Sequence, residues 1–205
     1  REAGGTMTLD DLASHTSTWE EPISVPYRGL RVHECPPNGQ GITALIALTI
    51  LEGFDLSPLD LLSTERLHLM IESMRLAFAD ARWYVADPRF SPVPVEQLLS
   101  KEHAAKRARD IDLKRAGEPA AAMVGSDTTH FVVAGEDLAV AFIQSVFAPW
   151  GSHVMIPGTG ILMNNRLAAF DTTPGAANAL APGKRTIHTL NTFMAIRDEE
   201  LVCGG

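Results

Sequence analysis

The chain has 205 residues, 45% hydrophobic and 20% charged, enough for one domain with a substantial core and unlike a disordered chain. A formal net charge of −8 argues against general affinity for nucleic acid or an anionic membrane surface. No apolar run approaches the roughly 18 residues needed to span a bilayer.

Cys35 and Cys203 are the only cysteines. They form neither a metal-binding spacing nor a disulfide framework and read as ordinary structural residues. The chain starts at Arg1 without a Met or a signal peptide, which leaves the compartment open between cytoplasm and periplasm or secretion.

Thr8 caps a short helix through Leu12, with Asp11 in the capping-box position. Residues 16–28 carry Pro22 and Pro26 and read as extended chain, and Val25 to Val32 as a hairpin turning near Gly29. Cys35 to Gly41 is a tight loop of turn residues. Ile42 to Phe54 is apolar nearly all round and predicts a buried helix. Leu67, Met70, Ile71, Met74, Ala77, Phe78, Ala81 and Tyr84 recur at helical spacing after Ser63-Thr64, and Asp87-Pro88 stops that helix. A charged third helix is predicted from about Val95 to Asp110, followed by an exposed mobile loop over 114–127.

Strands take over after that loop. His130–Ala134 and Leu138–Val146 read as a hairpin around Gly135-Glu136-Asp137, with Ile161–Met163 and Thr192–Ile196 as further strands. Helices first and strands afterwards favour α+β with a mainly antiparallel sheet.

Asp127-Thr128-Thr129-His130 stands where the loop meets the first of these strands. Adjacent threonines at a strand start are in themselves ordinary. At a loop–strand junction, however, a threonine hydroxyl can attack the peptide bond before it. The amine thus freed, with an ordinary pKa of roughly 7.7–8.0, then serves as general base for its own hydroxyl. One residue supplies nucleophile and base, so no separate triad is needed. His15, His33, His68, His103 and His153 show no ligand spacing, and Pro36 to Gly41 lacks the Lys-Ser/Thr ending of a phosphate loop. No metal or other cofactor is expected.

Several collinear segments carry a family resemblance over essentially the whole chain. They are Gly4-Gly5 with Leu9-Asp10-Asp11-Leu12, Glu21-Pro22, Tyr27-Arg28-Gly29, Pro36 to Gly41, and His68…Glu72…Ala77-Phe78-Ala79-Asp80…Asp87-Pro88. Downstream come Thr128-Thr129-His130 with Val132-Val133, then Pro157 to Asn165, then Ala181-Pro182-Gly183-Lys184-Arg185. Together they resemble the gamma-glutamyltranspeptidase family. The resemblance implies an N-terminal-nucleophile hydrolase fold, an αββα sandwich, present here in part. Residues 1–127, mainly helical, would be the C-terminal part of the large-subunit region. Residues 128–205, mainly β, would be the N-terminal part of the small-subunit region, the two forming one domain. It also implies cleavage between Asp127 and Thr128, pairing of the resulting subunits, an acyl-enzyme on Thr128, and a supporting hydroxyl from Ser145 in place of a family threonine. The family's upstream arginine and its oxyanion-hole glycines are expected outside Arg1–Gly205.

The substrate-reading positions depart from the family. Phe147 replaces an asparagine, Ala169 the acid that grips an α-amino group, and His188-Thr189 paired serines. Arg166 adds a fixed charge that can fork onto a carboxylate, or that serves in a structural ion pair. Thr129 and His188 join Phe147 and Arg166 as substrate-binding candidates, with structural hydrogen bonding put ahead of catalysis for His188. These changes are similar to the amidohydrolase and acylase branch, such as oxamate amidohydrolase, acting on small-molecule amides without nucleic-acid or membrane partners. A true gamma-glutamyl transferase or glutathione hydrolase, and an uncleaved non-catalytic piece, are the alternatives.

Overall fold

The computed structural model describes residues 6–118 and 127–205. Gly4-Gly5 and most of the loop expected over 114–127 lie outside the described residues.

Helix α1 (Leu9–Ala13) opens on a complete capping box. The Thr8 hydroxyl accepts the Asp11 N–H at 3.2 Å, and the Asp11 carboxylate accepts the Thr8 N–H at 2.7 Å. Strands β1 (Ile23–Tyr27) and β2 (Leu30–Glu34) form the expected hairpin. Its two turn residues, Arg28 and Gly29, have φ of 48° and 79°, the positive values a two-residue turn needs to match strand twist. Helix α2 (Gly41–Leu51) follows, with Ile42, Leu45, Ile46 and Ile50 each 1% exposed or less. Its uniform apolarity reflects packing on α3, α5 and both strands of the hairpin.

Helix α3 (Thr64–Tyr84) is capped by Ser63, whose hydroxyl accepts the Arg66 N–H. The continuous helix expected from Val95 to Asp110 is instead two: α4 (Val95–Leu98) and α5 (Lys101–Ala108). Ser100 breaks the run because its hydroxyl accepts the His103 N–H at 3.1 Å and caps a new helix. Strands β3 (Asp127–Ala134) and β4 (Ala139–Phe147) make a two-stranded ribbon. Residues 161–163 form no strand; only an isolated bridge joins Leu162 to Met155. Strand β5 (Phe193–Arg197) is followed by a further strand not expected from the sequence, β6 (Glu200–Gly204). The turn between them, Asp198 and Glu199 at φ 49° and 67°, has the hairpin geometry without the glycine or asparagine that usually announces it.

The main sheet is four-stranded and antiparallel in the order β1-β2-β5-β6. Val25, Val32, Leu45 and Ala195 form a small core between this sheet and α2. A larger core joins α2 to α3, α5 and Ile187. Buried carboxylates lock the periphery. Asp80 accepts from His103 Nε2 at 2.7 Å and from Arg107. Asp87, just beyond α3, accepts from the Arg89 guanidinium at 2.6 Å and from the Arg185 N–H at 2.8 Å. Burial opposes ionisation of Asp87, but these donors outweigh it and hold the pKa at about 2. That bond fixes the chain at Arg185 and thereby the path toward His188.

Candidate active site

The ribbon brings the first pair together. A register irregularity falls between Asp127 and Thr128; from there Thr128 lies opposite Ser145, Thr129 opposite Gln144 and His130 opposite Ile143. Directly opposed residues of an antiparallel pair project to one face, so Thr128, Ser145, His130 and Ile143 share a side. Thr129 and Gln144 occupy the other, which sets Thr129 apart from the remaining candidates.

Beyond Ser145 the strand end is held by local bonds. The Ser145 hydroxyl accepts the Phe147 N–H at 2.9 Å. Phe147 sits at φ 78°, a left-handed conformation rare for so bulky a residue and tolerated best by glycine and asparagine. Asn165 ties a second segment to this point: its N–H donates to Val146 C=O at 3.2 Å, and its Oδ1 accepts the Ala148 N–H at 3.0 Å. The following 3₁₀ turn, Arg166–Ala169, places the Arg166 Cζ 5.1 Å from the centre of the Phe147 ring. Arg166 Nη1 and Nη2 are both buried, with no hydrogen-bond partner among the described residues. Burial lowers the Arg166 pKa from its ordinary value. Ala169 packs against the main core, and its carbonyl accepts from Asn178 Nδ2 at 2.8 Å.

His188 comes from a separate segment and lines one cavity with Ile143. Its backbone is stitched to the Pro36–Gly41 turn, accepting the Gln40 N–H at 2.9 Å and donating to Asn38 C=O at 3.2 Å. The fit needs Gly39, because a Cβ there would stand 2.9 Å from His188 Cε1. Burial, then the positive charges of Arg166 and Arg185, lower the His188 pKa to about 4. The ring is therefore neutral at pH 7. His188 Nδ1 accepts the Leu190 N–H at 3.3 Å, which leaves the proton on Nε2. So weak a base is poorly suited to general-base work at neutral pH.

A cavity of about 390 Å³ opens beside His188, lined also by Glu20, Asn38, Ile143 and Arg185 among others. Glu20 is paired with Arg185 at 3.2 Å. Asn38, with Nδ2 bonded to Thr186 C=O at 2.6 Å, shapes this wall. In the sequence it was legible as a turn residue within the Pro36–Gly41 segment, not as part of a site. Arg185 was visible only as the end of the Ala181–Arg185 segment, and Glu20 carried no signal of its own in the sequence. Among the described residues, no group of three His, Cys, Asp or Glu side chains could hold a metal ion.

The model of one family, described as gamma-glutamyltranspeptidase, matches residues 1–205. This chain belongs to the gamma-glutamyltranspeptidase family. Among relatives, it is 39% identical over 198 residues to a glutathione hydrolase-like YwrD proenzyme of Bacillus subtilis, covering 95% of this chain and 37% of that one. It is 37% identical over 200 residues to an acylase ACY 1 proenzyme of a Pseudomonas species, covering 95% and 36%. An oxamate amidohydrolase proenzyme of Klebsiella pneumoniae is 35% identical over 193 residues, covering 94% and 36%. In structure, the fold is similar to a cephalosporin acylase from Bacillus halodurans, with TM-score 0.89 and 42% identity over 99% of this chain and 37% of that one. The mixed helix-and-sheet, N-terminal-nucleophile hydrolase architecture expected for this gamma-glutamyltranspeptidase member is therefore the one it has. The chain spans a little over a third of the length of these relatives. No helix among the described residues is long and apolar enough to cross a membrane.

Proposed function

We propose that this chain is the self-processing segment of an N-terminal-threonine amidohydrolase, made as a precursor and cut between Asp127 and Thr128. The observation that carries the reading is the shared face of Thr128 and Ser145 at the start of β3, beside the Phe147–Arg166 pair. Thr128 Oγ attacks the Asp127 carbonyl carbon, and its proton passes to the departing Thr128 nitrogen. The peptide becomes an ester; water then hydrolyses it, leaving an Asp127 carboxylate and a Thr128 α-amine. That amine next takes the Thr128 hydroxyl proton as Oγ attacks a substrate amide, and delivers it to the leaving nitrogen. Water releases the acyl group as a carboxylic acid and regenerates the hydroxyl. Ser145 supports the nucleophile from across the ribbon. The acylase, amidohydrolase and glutathione hydrolase names of the relatives support amide chemistry of this kind.

Intact mass of the purified protein tests it. Two pieces meeting at Asp127/Thr128 are expected, and a permanently uncut chain would leave a non-catalytic role. A second reading, gamma-glutamyl transfer or glutathione hydrolysis, is favoured by the 39% identity to a glutathione hydrolase-like protein. Turnover of a gamma-glutamyl anilide compared with oxamate or a simple acyl amide separates the two.

A further inference from the structure

We propose that Glu34 is a positioning residue: a proton on its carboxyl keeps the Pro36–Gly41 turn seated against His188, and loss of that proton unseats the cavity wall they share. This role is independent of cleavage at Thr128.

Strand β2 puts Glu34 where its alternation calls for a core residue. Val32, two positions earlier on the same face, packs in the small core with Leu45. Glu34 is 4% exposed, and its Oε2 has no hydrogen-bond partner among the described residues. It lies against the start of α2, so closely that Gly41 has no room for a Cβ beside the Glu34 carboxyl. That first turn carries no side-chain cap.

No charge answers this carboxyl. Its partners across the ladders are Ile23 and Phe193. The ionisable groups of those two strands, Tyr27 and Arg197, lie at the far ends, opposite Leu30 and Glu200. Helix α2 has no ionisable side chain. On its own strand His33 points to the opposite face, and Cys35 beyond it is exposed. Across the turn, on the cavity, stand His188, neutral at pH 7, and the Glu20–Arg185 pair. Burial is the first influence on Glu34 and the Cys35 N–H the second, and together they leave its pKa at about 7.

The turn couples this carboxyl to the cavity. It runs from Cys35 straight into α2, and His188 is held to it by two backbone bonds. Gln40 N–H donates to His188 C=O at 2.9 Å, and His188 N–H to Asn38 C=O at 3.2 Å. Asn38 and His188 both line the cavity. A carboxylate in a dry pocket has to gain donors. It gains them from water or from the N–H groups that open α2, and both routes displace the segment between Glu34 and that helix. The two bonds to His188 weaken with it.

The test is amide hydrogen exchange between pH 6 and 8 on the full-length protein carrying Thr128→Ala, which stays uncut and gains no new α-amine. With exchange corrected for its intrinsic pH dependence, protection of the Gln40 and His188 amides should fall by roughly tenfold over this range, the rise in ionised fraction of an acid with a pKa of about 7. The amides of α3 should keep their protection. Glu34→Gln, a neutral isostere, should hold the pH 6 protection throughout. No pH response at the two amides, or the same response in Glu34→Gln, would overturn the proposal. So would an equal loss across α3, which would make Glu34 a general destabiliser of the fold. If Glu34→Gln does not fold, the ring signal of His188 decides. Its own titration lies at about 4, so a step with a midpoint of about 7 is required, and its absence refutes the proposal.

Discussion

Thr128 and Ser145 stand directly across from each other in the β3–β4 ribbon, and the Ser145 hydroxyl accepts the Phe147 N–H at 2.9 Å. That bond restricts where the hydroxyl's own proton can point. Ser145→Ala is expected to slow cleavage at Asp127/Thr128 by about 10–100-fold and to cost about 1 kcal/mol through the orphaned N–H. Ser145→Thr should stay within a few-fold. Time courses of intact mass after synthesis measure both.

Replacing the nucleophile gives the sharper contrast. Thr128→Ala should leave a single uncut chain, with processing reduced by at least roughly 10³-fold. Thr128→Ser keeps a hydroxyl in place and should still be cut, more slowly. N-terminal sequencing of the smaller product should begin at position 128.

Two buried groups make stability depend on pH in opposite senses. The His188 pKa is lowered to about 4, so between about 4 and 6.5 the unfolded chain binds more protons than the folded one. The resulting stabilisation is complete above the ordinary histidine value and is lost as pH falls through this window, by up to about 3 kcal/mol. His188→Asn should flatten the acid limb of a plot of melting temperature against pH. An unchanged limb would mean that other groups govern it.

Glu34 works the other way. Its carboxyl is 4% exposed with Oε2 unpartnered, and burial raises the pKa to about 7 despite the opposing Cys35 N–H. The protonated form is favoured in the fold, so its contribution is present below about 4.5 and lost as pH rises through 7, again by up to about 3 kcal/mol. Glu34→Gln removes the charge and should melt higher than the parent at pH 8, with little difference at pH 5. Chemical denaturation at the two pH values checks the sign.

Asp80 is a structural counterpart. It is buried between His103 and Arg107, and Asp80→Asn leaves those partners without their anion. A loss of about 3–5 kcal/mol is expected, read as a lower urea midpoint.

The sequence displayed those parts of the fold whose signal is local. Periodicity from Leu67 to Tyr84 marked α3, the Thr8–Asp11 box marked α1, and the uniform apolarity after Gly41 marked α2. What it hid depends on competition or on long-range pairing. Ser100 looks like any polar helix residue until its hydroxyl captures the His103 N–H. Strand β6 is announced by no turn glycine and gains its order by pairing with β5. Of the site, Thr128, Ser145, Phe147, Arg166 and His188 were visible one by one. Their proximity was not, because it arises from strand register and from Asn165, whose two backbone bonds draw the Arg166 turn onto the end of β4. The low basicity of His188 was likewise out of reach, since it follows first from its burial and then from Arg166, which the fold brings close, together with the nearby Arg185.

The order β1-β2-β5-β6 carries a last consequence. Strand β2 comes from before Thr128 and β5 from after it, yet they are adjacent, with Arg31 to Glu34 paired against Ile196 to Phe193. A scissile bond at Asp127–Thr128 thus cuts a covalent thread that the ladder does not need. The two products would co-migrate as one body under native conditions and part only in denaturant. Having been tied together while the sheet formed, they would reassociate less readily as separate strangers than the parent chain folds, because the cut converts an intramolecular pairing into a bimolecular one.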